Sequence, residues 1–272
     1  MKIAIIGCGN MGEAILAGII NSKLTARENI FIYDKNKEKE QLIGQKYLIN
    51  FKKEGTIIDT IKYADYILLA VKPNIIENIL GDIKTIIGNK IIISIAAGVL
   101  ISTIENVIGS DKKVVRVMPN TPALIGMGMS SISINANITN EELEKTKKII
   151  NSFGKSEIVE EKLIDTVIAV SGSAPAYVYM FIEAMADGAV LHGMNRDMAY
   201  KFAAQTVMGA AKMILETGEH PGLLKDKVCS PGGTTIEAVA ELEKKGLRSA
   251  VISAMEKCVE KSKKMSKKNI DK

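Results

Sequence analysis

The sequence predicts an α/β protein in two parts, a doubly wound sheet over residues 1–160 and an all-helical domain over residues 161–272. Three observations predict it. Short β-branched apolar runs alternate with amphipathic stretches up to about residue 160, the rhythm of βαβ units around a parallel sheet. From about Lys162 that signal stops, and long segments rich in Ala, Met, Leu and Glu replace it. The chain has 272 residues, more than the ~100–150 typical of one domain, so two packed units are expected.

The strand candidates are Lys2–Ile6, Ile30–Asp34, Tyr66–Ala70, Ile91–Ser94, Val114–Met118 and Ser130–Asn135, six in all. Helices are expected between them at Met11–Ser22, Lys37–Lys46, Ile75–Ile86 and Leu100–Ile108. In the second part the helical segments read Leu163–Val170, Ala174–His192, Arg196–Thr217, Gly222–Lys227, Thr235–Lys244, and Leu247 to the end. No low-complexity linker separates the two parts, which implies close packing rather than a tether. The stretch Ala176–Leu191 is apolar almost all round, which implies burial on several faces. A domain of ~110 residues has little interior to offer it, so an intertwined homodimer through the C-terminal helices is expected.

Composition narrows the function. Hydrophobic residues make up 47% and charged residues 25%, ordinary globular usage. The net charge of +5 comes largely from the last dozen residues, Lys261 to Lys272, read here as a solvated helix end. Aromatics amount to 4% with no Trp, so base-stacking platforms are scarce and no nucleic-acid partner is expected. Cys8, Cys229 and Cys258 are too few and too scattered for a disulfide framework or zinc site, which points to a reducing cytoplasm and no metal. The most apolar later stretch, Thr166 to Met194, carries Glu183, Asp187 and the Ser171-Gly172-Ser173-Ala174-Pro175 break, so no membrane span is expected.

Gly7-Cys8-Gly9-Asn10-Met11-Gly12 matches G-x-G-x-x-G directly after the first strand and at the start of a helix. Three glycines at that spacing would arise by chance roughly 0.14 times in such a chain; position is what makes the match informative. Gly7 allows the tight turn, Gly9 lets the backbone approach a pyrophosphate, and Gly12 lets the helix lie on the sheet. Asn10, Met11 and Gly12 open that helix, whose amides and dipole favour phosphate. The first part is therefore a Rossmann-like dinucleotide-binding domain. Asp34, about twenty residues further on at the end of the second strand, is placed to accept from ribose hydroxyls and to repel a 2′-phosphate. Lys35 and Lys37 follow and could hold that phosphate, so NADPH and NADH both stay open.

Four further clusters fall at strand ends or domain seams. Ala70-Val71-Lys72-Pro73, Ala96-Ala97-Gly98 and Met118-Pro119-Asn120-Thr121-Pro122 each follow a strand candidate, where open α/β sheets bind ligands, and are expected at the nicotinamide half of the cofactor. Lys72 could be read as a catalytic base or phosphate ligand, but a Lys before Pro at a strand end reads more readily as a surface residue or a weak cofactor contact. In the fourth, Ser230-Pro231-Gly232-Gly233 breaks the chain before Thr234-Thr235-Ile236-Glu237, a T-x-x-E spacing that reads as a capping box. Amides at such a helix start can hold a small carboxylate, and Thr235 offers a hydroxyl to a polar substrate atom. His192, before Gly193 at a helix end, and His220, before Pro221-Gly222, read as capping or turn residues; Cys8 reads as a small residue.

A substrate reduced where the two parts meet fits these residues. A hydroxyacid dehydrogenase, with a Lys or His acid in its second domain, is the enzymatic alternative. A nonenzymatic dinucleotide sensor or a lysine-tailed nucleic-acid binder is the other. Against these, the chain resembles the pyrroline-5-carboxylate reductase family nearly end to end. The resemblance runs through the glycine fingerprint, Val71-Lys72-Pro73, Ala96-Ala97-Gly98, Asn120-Thr121-Pro122, Ser171 to Tyr177, and His220-Pro221-Gly222 through Leu224-Lys225-Asp226 to Ser230–Thr235.

The resemblance implies reduction of 1-pyrroline-5-carboxylate to L-proline with NADPH or NADH, the last step of proline biosynthesis. It implies a substrate carboxylate on backbone amides near Gly233, Thr234 and Thr235, with Ser230 at the edge of the loop and Thr235 close to the ring nitrogen. C-terminal dimers, able to assemble into a decamer, are implied too. Asp34 and the region of Thr56-Ile57 depart from the pattern of many NADPH-using members, so cofactor preference is not carried over. The substrate is a cyclic imine activated by protonation, so the protein's work is chiefly positioning, worth ~7–11 kcal/mol, with Thr235 as the hydrogen-bonding group at the nitrogen.

Overall fold

Ile and Val supply most strand positions in the first part, and their branched Cβ atoms suit a pleated, buried surface. Seven strands form one sheet: β1 (Ile3–Ile6), β2 (Ile30–Tyr33), β3 (Tyr66–Leu69), β4 (Ile91–Ser94), β5 (Lys113–Met118), β6 (Gly128–Ile134) and β7 (Gly154–Ile158). Their order is β2-β1-β3-β4-β5-β6-β7, with β6 antiparallel to β5 and every other pair parallel. The structure is a computed structural model that describes residues 1–49 and 55–270, and the side chains as far as Ser266. Asp271, Lys272 and the side chains of Lys267 to Ile270, part of the lysine-rich end, lie outside the described residues.

The sheet separates two cores because neighbouring residues of a strand point to opposite faces. Ile3 and Ile5 pack with Ile15, Leu16, Ile19 and Phe153 on one face; Ala4 and Ile6 pack with Ile61, Leu80 and Ile104 on the other. The first face is covered by α1 (Asn10–Asn21), α2 (Lys37–Tyr47) and, after α3 (Ile57–Ile61), α4 (Ile76–Ile83) and α5 (Ile101–Ile108) on the second face, by α6 (Asn140–Ile150). Helices α3 and α6 open on capping boxes, Thr56 with Asp59 and Thr139 with Glu142.

Six strands were expected and seven are present among the described residues. The extra one, β7, reads Gly-Lys-Ser-Glu-Ile and lies half-exposed at the sheet edge, so it carries no apolar run. Helices α3 and α6 were also not anticipated.

Past β7 the chain is helical: α7 (Ile164–Val167), α8 (Ala174–Leu191), α9 (Arg196–Thr217), α10 (Pro221–Val228), α11 (Thr234–Lys244) and α12 (Leu247–Ile270). The expected break at Ser171-Gly172-Ser173 is a π turn, Ile168–Gly172, in which the Ser173 amide donates back to the Ile168 carbonyl at 2.7 Å. Met1–Ser173 and the segment from Cys258 onward form one compact unit, and Ala174–Lys257 forms a second. The end of α12 is tied into the first unit by Cys258 Sγ to Ser173 Oγ at 3.2 Å and by Ser262 Oγ donating to Asp165 Oδ1 at 2.5 Å.

Within the second unit only Ala186, Ala199 and Ala203 are buried among the described residues. The burial expected for Ala176–Leu191 is therefore absent from the single chain. By length and composition alone, Glu161–Leu191 is long and apolar enough to cross a membrane.

Candidate active site

Gly7 ends β1 with φ +103°, a conformation that side-chain-bearing residues rarely adopt, and its N–H donates to the Tyr33 carbonyl at 2.7 Å. A Cβ at Gly7 would stand 2.5 Å from the Ala70 carbonyl oxygen, and one at Gly12 would run into the Gly7 carbonyl. A Cβ at Gly9 would meet nothing within 4 Å. Gly7 and Gly12 are thus demanded by the protein's own packing, and Gly9 faces open space. Gly9 is also the N-cap of α1 and supplies no side-chain cap, so the first-turn amides of Asn10, Met11 and Gly12 are presented outward. That cradle fits a dinucleotide pyrophosphate.

A cleft of about 660 Å³ opens beside it, bringing together Gly7, Gly9, Asp34, Lys35, Ala70, Val71 and Lys72. Asp34 is built into the cleft wall: Oδ2 accepts from the Cys8 amide at 2.7 Å and Oδ1 from the Asn36 amide at 2.9 Å. It therefore joins the fingerprint to the turn after β2, with lone pairs to spare for ribose hydroxyls. Lys37, expected to compete for a 2′-phosphate, is instead engaged with Glu40 and the Gly55 carbonyl. Lys39 takes its place on the cleft wall.

Sequence reasoning missed the far wall, where Ile75, Asn78, Ile79 and Asp82 come from the start and one face of α4. Their i, i+3, i+4, i+7 spacing is the signal that could have found them. Burial, then the nearby Asp34 carboxylate, pushes the Cys8 thiol up to about 12, so it is an inert small residue in the fingerprint.

The remaining first-unit candidates lie elsewhere. Pro73 opens a short 3₁₀ turn for which Lys72 is the N-cap, and it lines a separate cavity of about 130 Å³. Ala97 and Gly98 form the turn after β4, with Gly98 at φ +74°. Asn120 uses its amide within the fold, Nδ2 donating to the Ser171 carbonyl at 3.1 Å and Oδ1 accepting from the Met129 amide at 2.9 Å. Thr121 begins the 3₁₀ turn Thr121–Ile125.

In the second unit, Ser230-Pro231-Gly232-Gly233 is a tight turn with Gly232 at φ +64°, closed by the Gly233 amide donating to the Ser230 carbonyl at 3.0 Å. The expected capping box is absent. Gly233, at φ −83° and ψ 168°, already occupies the N-cap, so Thr234 is the first helical residue of α11 and no side chain closes the helix start. The amides of Thr234, Thr235 and Ile236 thus open onto the turn, with the Thr235 side chain half-buried beside them. This helix start, like the one at Gly9, could hold an anion. His220 is the N-cap of α10, its Nδ1 accepting from the Gly222 amide at 3.1 Å, and His192 lies in the turn after α8. No group of three or more His, Cys, Asp or Glu with metal-binding geometry occurs among the described residues.

Residues 161–265 match the family described as pyrroline-5-carboxylate reductase dimerisation, and residues 2–98 the family described as NADP oxidoreductase, coenzyme F420-dependent. The pyrroline-5-carboxylate reductase of Escherichia coli is 52% identical over 98% of both chains. Among solved structures, a pyrroline-5-carboxylate reductase from Coxiella burnetii superposes with a TM-score of 0.92 at 31% identity, covering 97% of this chain and 98% of that one. A Plasmodium falciparum pyrroline carboxylate reductase solved with NADP bound gives 0.86 at 34% identity, covering 98% of each. The likeness spans both units, both cradles and the helical region, and the chain belongs to the pyrroline-5-carboxylate reductase family.

Proposed function

We infer that this chain reduces 1-pyrroline-5-carboxylate to L-proline with NADPH or NADH, completing proline biosynthesis. The observation that carries it is the identity of 52% to a pyrroline-5-carboxylate reductase along almost the whole length. The two glycine-capped helix starts, at Gly9 and Gly233, supply one cradle for each anion the reaction brings together.

The bound dinucleotide supplies a hydride to the imine carbon. The chain's own residues bind and orient. Amides at the start of α1 hold the pyrophosphate against Gly9, where no side chain intervenes. Asp34 and Lys35 face the adenosine ribose from the cleft wall, and Lys72 approaches from the end of β3. Ala97, Gly98, Asn120 and Thr121 complete the cofactor surface through backbone atoms, because the Asn120 amide is already committed. In the region from residue 161 to 272, the substrate carboxylate rests on the amides of Thr234 and Thr235, with Ser230 and Gly233 shaping the turn. The Thr235 hydroxyl hydrogen-bonds the ring nitrogen, holding the protonated imine in place and the product amine after reduction.

The apolar helices α8 and α9 pair with those of a second copy, and such dimers assemble further into a decamer. The matched dimerisation family supports a protein partner for these helices over a lipid one. Glu183 and Asp187 on α8 agree with that choice, and the protein acts in the cytoplasm without nucleic acid or membrane.

Mixing the protein with 1-pyrroline-5-carboxylate and either cofactor, and following absorbance at 340 nm, tests the reading. One NADPH or NADH consumed per proline formed is expected. No consumption with either cofactor would refute it.

A further inference from the structure

Glu40, in the first turn of α2, is only 2% exposed, and a buried glutamate needs partners. One oxygen serves two: Oε2 accepts from the Asp34 amide at 2.8 Å and from Lys37 Nζ at 2.9 Å. The Lys37 ammonium also donates to the Gly55 carbonyl at 3.0 Å and stands 4.3 Å from the centroid of the Tyr33 ring, itself part of the cleft wall. Lys35, Asn36 and Lys39 line the cleft; Lys37, in the midst of them, does not. The charges at the end of β2 are thus sorted, with the Asp34 carboxylate on the cleft side and the Lys37 ammonium drawn to Glu40.

We propose that Glu40 is the positioning residue by which this cleft discriminates between dinucleotides with and without a 2′-phosphate. It fixes Asp34 through the backbone amide and withholds from the cleft the cation that would neutralise a phosphate beside that carboxylate. Replacing Glu40 by a neutral isostere keeps an acceptor for the Asp34 amide but removes the charge that pairs with Lys37. Lys37 then turns to the cleft, and repulsion between Asp34 and a 2′-phosphate is offset. The proposal rests on the reading of the cleft as the dinucleotide site.

The test is calorimetric titration of the full chain with adenosine 5′-monophosphate and adenosine 2′,5′-bisphosphate, which needs no turnover. In Glu40→Gln the ratio of bisphosphate to monophosphate affinity rises at least fivefold, and adding Lys37→Met cancels the gain. Lys37→Met alone moves the ratio less than twofold, because Lys37 is already withdrawn; this arm stands even where Glu40→Gln does not fold. An unchanged ratio in folded Glu40→Gln, a gain that survives in the double variant, or a fivefold loss in Lys37→Met alone overturns the proposal while leaving the cleft assignment intact. Failure of the wild-type chain to bind either nucleotide overturns the cleft reading and this proposal together.

Discussion

The two units of this chain bury themselves very differently. The first holds an isoleucine-rich core on each face of its sheet, with Ile3, Ile15, Leu68, Ile92 and Ile104 almost wholly excluded from solvent. Three alanines are all that the second unit buries, while Met180, Phe202 and Leu215 are 69%, 62% and 85% exposed. At ~25 cal/mol per Å² of apolar surface, the first unit carries its own stabilisation and the second leaves most of its share unclaimed. A Rossmann-like unit need only admit a diffusing cofactor. On the proposed reading, the helical unit needs another protein surface before the Gly233–Thr235 turn can be held steady for a substrate.

The sharpest way to break the contrast is to place a charge on the exposed apolar surface. Phe202→Asp puts an unpaired carboxylate where a second copy is proposed to pack, a penalty of several kcal/mol. Proline formation should fall more than 100-fold and the helical unit should melt at lower temperature, while adenosine monophosphate binding to the first unit survives. Coincident loss of both functions would show that the units are not separable in this way.

A smaller effect is expected at the turn itself. Thr235→Val should lower kcat/KM by ~10–100-fold, the scale of one buried hydrogen bond, with cofactor affinity unchanged. An unaltered rate would remove Thr235 from the chemistry.

The smallest effect concerns Cys8, whose thiol burial raises from 9.0 to about 12. Below pH 9 it is protonated in the folded and unfolded states alike. Between pH 9 and about 12 only the unfolded chain loses the proton, so stability declines as pH rises, and Cys8→Ser should remove that part of the decline. At pH 8 iodoacetamide should leave Cys8 unlabelled until the chain is denatured; labelling at the denatured rate would contradict its burial.

Much of the first unit was legible because its strands are continuous apolar runs and its fingerprint sits at a strand–helix junction. The misses have physical causes. The edge strand β7 is polar, and no alternation marks it. The spacing T-x-x-E at Thr234–Glu237 resembles the true capping box at Thr139–Glu142, yet only the latter caps, because Gly233 shifts the helix frame by one residue. That shift matters for the site: a capping hydroxyl would have used a donor that instead faces outward. The roles of Glu40 and Lys37 were invisible in the sequence, since adjacent lysines at the end of β2 differ only in which one a buried carboxylate captures. The all-round apolarity of α8 was legible in the sequence, and its exposure in the single chain is the excess over the domain's own interior that calls for a second copy to cover it.

The molar mass in solution bears most directly on the claim that another copy completes the helical unit. Light scattering at micromolar concentration should give twice the chain mass of 29.5 kDa or a multiple of it. A monodisperse species of 29.5 kDa that still forms proline would contradict the account.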